Sequence, residues 1–167
     1  MNNSNLTAGP GRASALQQLN SFNPSEYKRT RNFIKGSVSG LSPYITHGIL
    51  TLDEVYTSLK RKYGLAANHK FVNELMWRQF FHHVWSKKGE EIFVTLDEEP
   101  IPRSCYSFDL PDDIINARTG LAVIDGTVRN LYETGYIHNH ARMWLASYMV
   151  HYRKIYWKVG ADWLYAY

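Results

Sequence analysis

Two long stretches almost free of helix breakers constrain this chain most. From Ala67 to Lys88 there is neither glycine nor proline, and Gly89 follows as a ready C-cap. Phe71, Leu75, Phe81 and Val84 recur along that stretch at helical spacing. His138 to Trp157 is a second such run, predicted as one long helix. Strand-like alternation is nowhere sustained, so the expected class is all-α.

The remaining chain supplies shorter helices. Residues 1–12 carry Gly, Pro and Asn without a period and read as a flexible tail. Ala13–Phe22 is expected as a short helix with Leu16 and Leu19 facing inward. Asn23-Pro24-Ser25 breaks it, with Ser25 able to cap a basic helix over residues 26–35. Thr51 and Glu54 have capping-box spacing, and Leu52, Val55, Tyr56 and Leu59 follow at helical spacing until Gly64. Residues 90–118 contain three prolines and little period, which predicts a long connection. Leu121–Glu133 is again helical, ended by Gly135.

Charge is segregated along the chain. The net charge is only +4, yet eight of the fifteen acidic residues fall between Glu90 and Asp113. Between Thr134 and Ala161 there is none, while Arg142, Arg153, Lys154 and Lys158 are present. Lys28, Arg29, Arg31 and Lys35 form a second basic group. Such clustering suits an anionic ligand or nucleic acid. The single Cys105 excludes an internal disulfide and suggests a reducing compartment. No signal peptide is visible, and no apolar run approaches the roughly 18 residues of a membrane span. A cytoplasmic location without membrane contact is the expectation.

Three stretches carry candidate chemistry. Gly36–Pro43 (GSVSGLSP) is a small-residue loop whose amides and Ser37, Ser39 and Ser42 hydroxyls can meet an anion. By composition alone a plain loop is the commoner reading of such a stretch. Asn73–Phe80 (NELMWRQF) puts Glu74, Trp77, Arg78 and Phe81 on one helical stripe. That stripe suits either an exposed Glu74–Arg78 ion pair or a pocket wall with Trp77 as a stacking platform. Ile137–Trp144 (IHNHARMW) crowds polar groups into a helix start. Arg142 opposes the local dipole there and needs an anionic partner. His138 and His140 lack a third placed ligand, so no metal site is expected.

Taken in order, these stretches resemble the helical flavin domain of the DNA photolyase/cryptochrome family, from about Ala13 to Trp163. The matching features are Tyr27 and Arg31 before VSGLSPYI, then NELMWRQF, TGLAVIDGTVRNL, HNHARM and YWKVGADWLY. The resemblance implies a partial FAD-binding domain over residues 13–167. Its cofactor would be FAD and its partner UV-damaged DNA. Excited reduced flavin would pass an electron to a pyrimidine dimer and recover it after the dimer splits. By residue match, Ser37, Val38, Ser39, Gly40, Leu41 and Ser42 would lie near the flavin phosphates, with Tyr27 closing that end. Asn139 would face the redox-active edge of the ring, and Arg142 would pair with an acid nearby. Glu74 and Trp77 would contact the damaged bases, Arg78 and His140 the DNA, and Trp157 matches one station of the family's tryptophan electron relay.

The departures from the family pattern shape the expectation. Val38 stands where a threonine is usual, and His140 where an arginine is usual. The family continues past the Trp-Gly segment with an acidic stretch and a WQW-like segment, whereas this chain ends at Tyr167, and the family's amino-terminal α/β antenna domain has no counterpart here. The resemblance therefore implies an incomplete domain with exposed apolar faces, prone to self-association. Relatives acting on (6-4) lesions carry histidines at the positions of Asn139 and Met143, so cyclobutane dimers are the expected lesion. A cryptochrome-like sensor without repair activity and a flavin-free fragment are the alternatives.

Overall fold

The computed structural model describes residues 9–94 and 101–167. Among them there is no strand, only one isolated bridge, and nine α-helices define an all-α chain. No described helix is long and apolar enough to cross a membrane. The described residues form two compact units, one over residues 9–89 and the other over 90–94 and 101–167.

The amino-terminal unit holds α1 (Gly11–Ser21), α2 (Pro24–Thr30), α3 (Ser42–Thr46), α4 (Leu52–Tyr63) and α5 (Lys70–Lys88). Residues 1–8 of the expected tail lie outside the described residues, and the helix after it begins at Gly11. Its inward side chains are Ala15 and Leu19. Leu16 is exposed, because one step along a helix turns a side chain by about 100°. Asn23, rather than Ser25, caps α2: its carboxamide oxygen accepts from the Ser25 and Glu26 amides, and Pro24 occupies the first turn. Thr51 and Glu54 form the expected capping box on α4, and Gly64 closes it at φ 62°.

This unit's core gathers Leu19, Phe22, Leu41, Tyr44, Leu50, Val55, Leu59 and Phe71. Phe22, Tyr27 and Phe71 meet in an aromatic cluster with centroids 4.7–5.8 Å apart. α5 enters that core at its first turns, through buried Phe71 and Val72, with Leu75 packed against them. Phe81, further along the helix, is 61% exposed.

The carboxy-terminal unit holds α6 (Asp112–Ile115), α7 (Ala122–Thr134), α8 (Asn139–Ser147) and α9 (Trp157–Tyr165). The expected long connection carries short helical turns at Gly89–Phe93 and Arg103–Cys105, and residues 95–100 lie outside the described residues. The single helix expected from His138 to Trp157 is not one helix. α8 widens into a π-turn at Tyr148–Tyr152, and the chain then breaks, with Lys154 left-handed at φ 52°. Four contacts make the break. Arg153 grips Asp113 with two bonds of 2.6 and 3.1 Å, and also donates to the Tyr148 hydroxyl. The Ser107 amide donates to the Lys154 carbonyl, and the Tyr156 amide to the Ser107 carbonyl, at 2.7 and 2.8 Å. Local sequence favours helix through this run, and pairing with a segment about forty residues earlier overrides it.

The TGLAVID stretch has a structural role. The buried Asp125 carboxylate accepts from the Thr119 hydroxyl (2.6 Å), the Thr119 amide (2.8 Å) and the Gly120 amide (3.2 Å). It closes the turn into α7, where Gly120 sits at φ 81°. These donors, the Thr119 hydroxyl first, hold the Asp125 carboxyl below its usual pKa. Its stabilising effect is therefore present above the unfolded value of about 4 and is lost as pH falls through the lowered folded value. Asp125→Ala is expected to cost about 2 kcal/mol in urea unfolding at neutral pH. Asp125→Asn is expected to flatten the acid limb of stability below about pH 4; an unchanged limb would refute the assignment.

Candidate flavin and DNA site

In the amino-terminal unit the GSVSGLSP loop is shaped by close packing. A side chain at Gly36 would put its Cβ 1.8 Å from the Thr30 carbonyl oxygen, so the backbone passes where only glycine fits. The Ser37 amide donates to the Thr30 hydroxyl at 2.9 Å, and Gln18 donates to the Ser39 carbonyl at 2.8 Å. Gly40 turns the chain at φ 64°, and the Leu41 amide donates to the Ser39 hydroxyl. Leu41 is fully buried, so its side chain belongs to the core and only its backbone faces the loop. Ser42 opens the short α3. The amides of Val38, Ser39 and Gly40 have no acceptor among the described residues. Beside the loop lies an open cleft of about 510 Å³, walled in part by Asn23, Thr30, Lys35, Ser37 and Val38. Unclaimed amides with a lysine nearby suit phosphate oxygens. The residues present therefore fit the pyrophosphate part of FAD.

Tyr27 is half-buried against Phe22 and Phe71, and burial raises its phenol pKa. The Arg31 guanidinium lies 5.9 Å from its ring centroid. Arg31 also pairs with Glu74 at 3.2 Å, and Lys70 meets the same Glu74 oxygen at 2.9 Å. The Glu74–Arg78 pair suggested by spacing does not form. Glu74 turns back one helical turn to Lys70, and Arg78 donates instead to the Thr46 hydroxyl at 2.9 Å. The Lys70–Glu74 spacing of four was legible in the sequence; the link across from Arg31 was not.

The stripe itself is as expected. Trp77 stacks on Phe81 at 5.9 Å and 27°, and Phe80 meets both rings edge-on. Trp77 is 54% exposed, with Met76 and Trp85 exposed on the same helix. An open indole face next to a carboxylate held by two cations can stack on a base and accept a hydrogen bond from one.

In the carboxy-terminal unit, buried His138 caps α8 by accepting from the His140 amide at 3.2 Å. Among the described residues no cluster of His, Cys, Asp and Glu suits a metal ion. Asn139 is exposed, its amide 3.6 Å from the Met143 sulfur. His140 meets the His138 ring edge-on at 5.4 Å. Arg142 is exposed and makes no ion pair among the described residues. Trp157 begins α9, half-buried, 6.0 Å from the Tyr156 ring. The two units thus each carry part of the expected site, with Tyr27, residues 37–42, Glu74, Trp77 and Arg78 in the first and Asn139, His140, Arg142 and Trp157 in the second.

The architecture is all-helical among the described residues, and the family is given by comparison with known proteins. The family described as "FAD binding domain of DNA photolyase" matches residues 71–167. Cryptochrome DASH of Synechocystis is 30% identical over 148 residues, 83% of this chain and 30% of that protein. The deoxyribodipyrimidine photo-lyase of Thermus thermophilus is 30% identical over 159 residues, covering 89% of this chain and 36% of that one. The crystal structure of a Synechocystis cryptochrome superposes with a TM-score of 0.83 at 28% identity, over 95% of this chain and 35% of that one. The chain belongs to the DNA photolyase/cryptochrome family and carries part of its FAD-binding domain. It spans about a third of the length of the relatives it matches.

Gly36→Ala is expected to destabilise the amino-terminal unit by about 1–3 kcal/mol, because the obstructing atom is backbone and cannot swing away. Thermal unfolding followed by circular dichroism reads this directly; an unshifted midpoint would mean the loop relaxes freely.

Proposed function

We propose that this chain binds FAD and takes part in light-driven repair of pyrimidine dimers in DNA. Exposed Trp77 carries the reading, because an open indole face in a helical flavin-domain chain has a use in stacking on an extruded base. The amides of residues 38–40 would take the cofactor's phosphates, with Lys35 as a counter-charge. Asn139 would serve the redox edge of the flavin as both donor and acceptor, and Arg142 would add positive charge nearby. When bound, FAD supplies photo-excited one-electron chemistry that no side chain provides. Glu74 would hydrogen-bond the lesion, and Arg78 and His140 would contact DNA. Ser37, Val38, Ser39, Gly40, Leu41 and Ser42 would line the phosphate end through their backbone. The relatives include both photolyases and cryptochrome DASH proteins. Repair under blue light is what separates the enzymatic reading from a sensory one. The exposed rings of α5 also support self-association, which sedimentation velocity over a concentration series would read as rising mean mass.

The first test is an absorption spectrum after gel filtration with excess FAD. Co-eluting flavin is expected, and a colourless peak would defeat the proposal that this chain holds the cofactor alone. With flavin bound, Trp77→Ala is expected to weaken binding to a UV-irradiated oligonucleotide about 5- to 150-fold. Equal binding would remove Trp77 from the DNA contact.

A further inference from the structure

The two cations on Glu74 are more than a hydrogen bond to a lesion requires. Arg31 and Lys70 both meet the same oxygen, Oε1, at 3.2 and 2.9 Å, and Oε2 has no partner among the described residues. Each arm is anchored in the core. Arg31 lies against the Tyr27 ring, and Lys70 immediately precedes buried Phe71, with Tyr27 and Phe71 in contact at 5.2 Å. Local helix energetics do not explain Lys70. It is the first residue of α5, where the helix dipole disfavours a cation, and no acid in the first turn offsets it. A lysine four residues before a glutamate is also the weaker order for a helical pair. What Lys70 does to Glu74 is the use that remains for it.

We propose that Lys70 is a positioning residue that sets this chain's discrimination for damaged DNA by fixing the Glu74 carboxylate. This role rests on the reading of Glu74 as a lesion contact. The terminal torsion of a free glutamate is broad. One cation leaves the carboxylate able to swing about that contact. The second cation, one turn back on the same helix, converges on the same oxygen and removes that freedom. Oε1 is then occupied, and Oε2 is the oxygen that accepts an N–H from an extruded base. The pair of cations also matches the charge of an acid that must approach a polyanion, which a bare carboxylate would repel. Lys70 touches no base itself and acts only through Glu74.

Binding in the dark tests this without photochemistry. The full chain, with excess FAD, is titrated with an oligonucleotide carrying a thymine dimer and with the same oligonucleotide undamaged, at one salt concentration. The ratio of the two affinities cancels a general loss of positive charge. Lys70→Met is expected to lower that ratio about tenfold, and Lys70→Arg to keep it. In a Glu74→Gln background Lys70→Met should lower it no further, because the group it acts through is gone. An equal loss on both oligonucleotides would make Lys70 a phosphate contact and overturn the proposal. A further fall in the Glu74→Gln background would overturn it too. Methionine forms helix about as well as lysine, and circular dichroism checks the fold; should Lys70→Met not fold, Lys70→Gln decides in its place. A wild-type preference for the dimer that survives Lys70→Met would sink the positioning role alone. A wild-type chain that binds both oligonucleotides equally would sink the lesion reading itself, and the role of Lys70 with it.

Discussion

The two-pronged ion pair between Arg153 and Asp113 decides where the last helix begins. It draws the end of α8 into a π-turn and, with the Ser107 backbone bonds, forces Lys154 into left-handed geometry. Once the chain has turned there, Ile155 drops into the core and Trp157 starts α9. Had the helix run on unbroken, Tyr156 would not meet Tyr106 and Phe108. Arg153 raises its own affinity for its proton and lowers that of Asp113, with the mutual hydrogen bond as the leading cause on both sides. The pair is partly exposed, so its importance lies in geometry more than in energy.

In the amino-terminal unit the comparable constraint is the short reach of the core along α5. Only Phe71 and Val72 are buried, and the rest of the helix extends its rings outward. That leaves Trp77 available as a face, while Arg31 and Lys70 hold Glu74 at the base of the same helix. Exposed apolar rings cost solvation and are kept where something flat or apolar meets them. The loop from Gly36 to Ser42 is built the opposite way. The Leu41 side chain, the Ser39 hydroxyl and the Ser37 and Leu41 amides are spent on the fold, and the amides of residues 38–40 remain for a ligand.

Much of this was legible from local chemistry. The capping box at Thr51 and Glu54, the glycine stops at Gly64, Gly89 and Gly135, and the stripe of Trp77 and Phe81 depend on residues within a few positions of each other. Other features were misread because several partners compete and spacing alone does not rank them. Glu74 prefers Arg31 and Lys70 to Arg78, and Asn23 outcompetes Ser25 because its side chain reaches two amides. The role of Asp125 was hidden in a motif whose spacing shows nothing until the turn at Thr119 and Gly120 brings their donors to one carboxylate.

The sequence by itself determined an all-α chain, the main helix ends and the family, because helical periodicity, caps and motif order are short-range properties of the chain. Only the tertiary structure decided that the run from His138 to Trp157 breaks, which cations hold Glu74, and that Tyr156 meets Tyr106. Those outcomes turn on contacts between residues some forty or fifty positions apart, where a favourable distant pairing outweighs local preference by amounts no local pattern records.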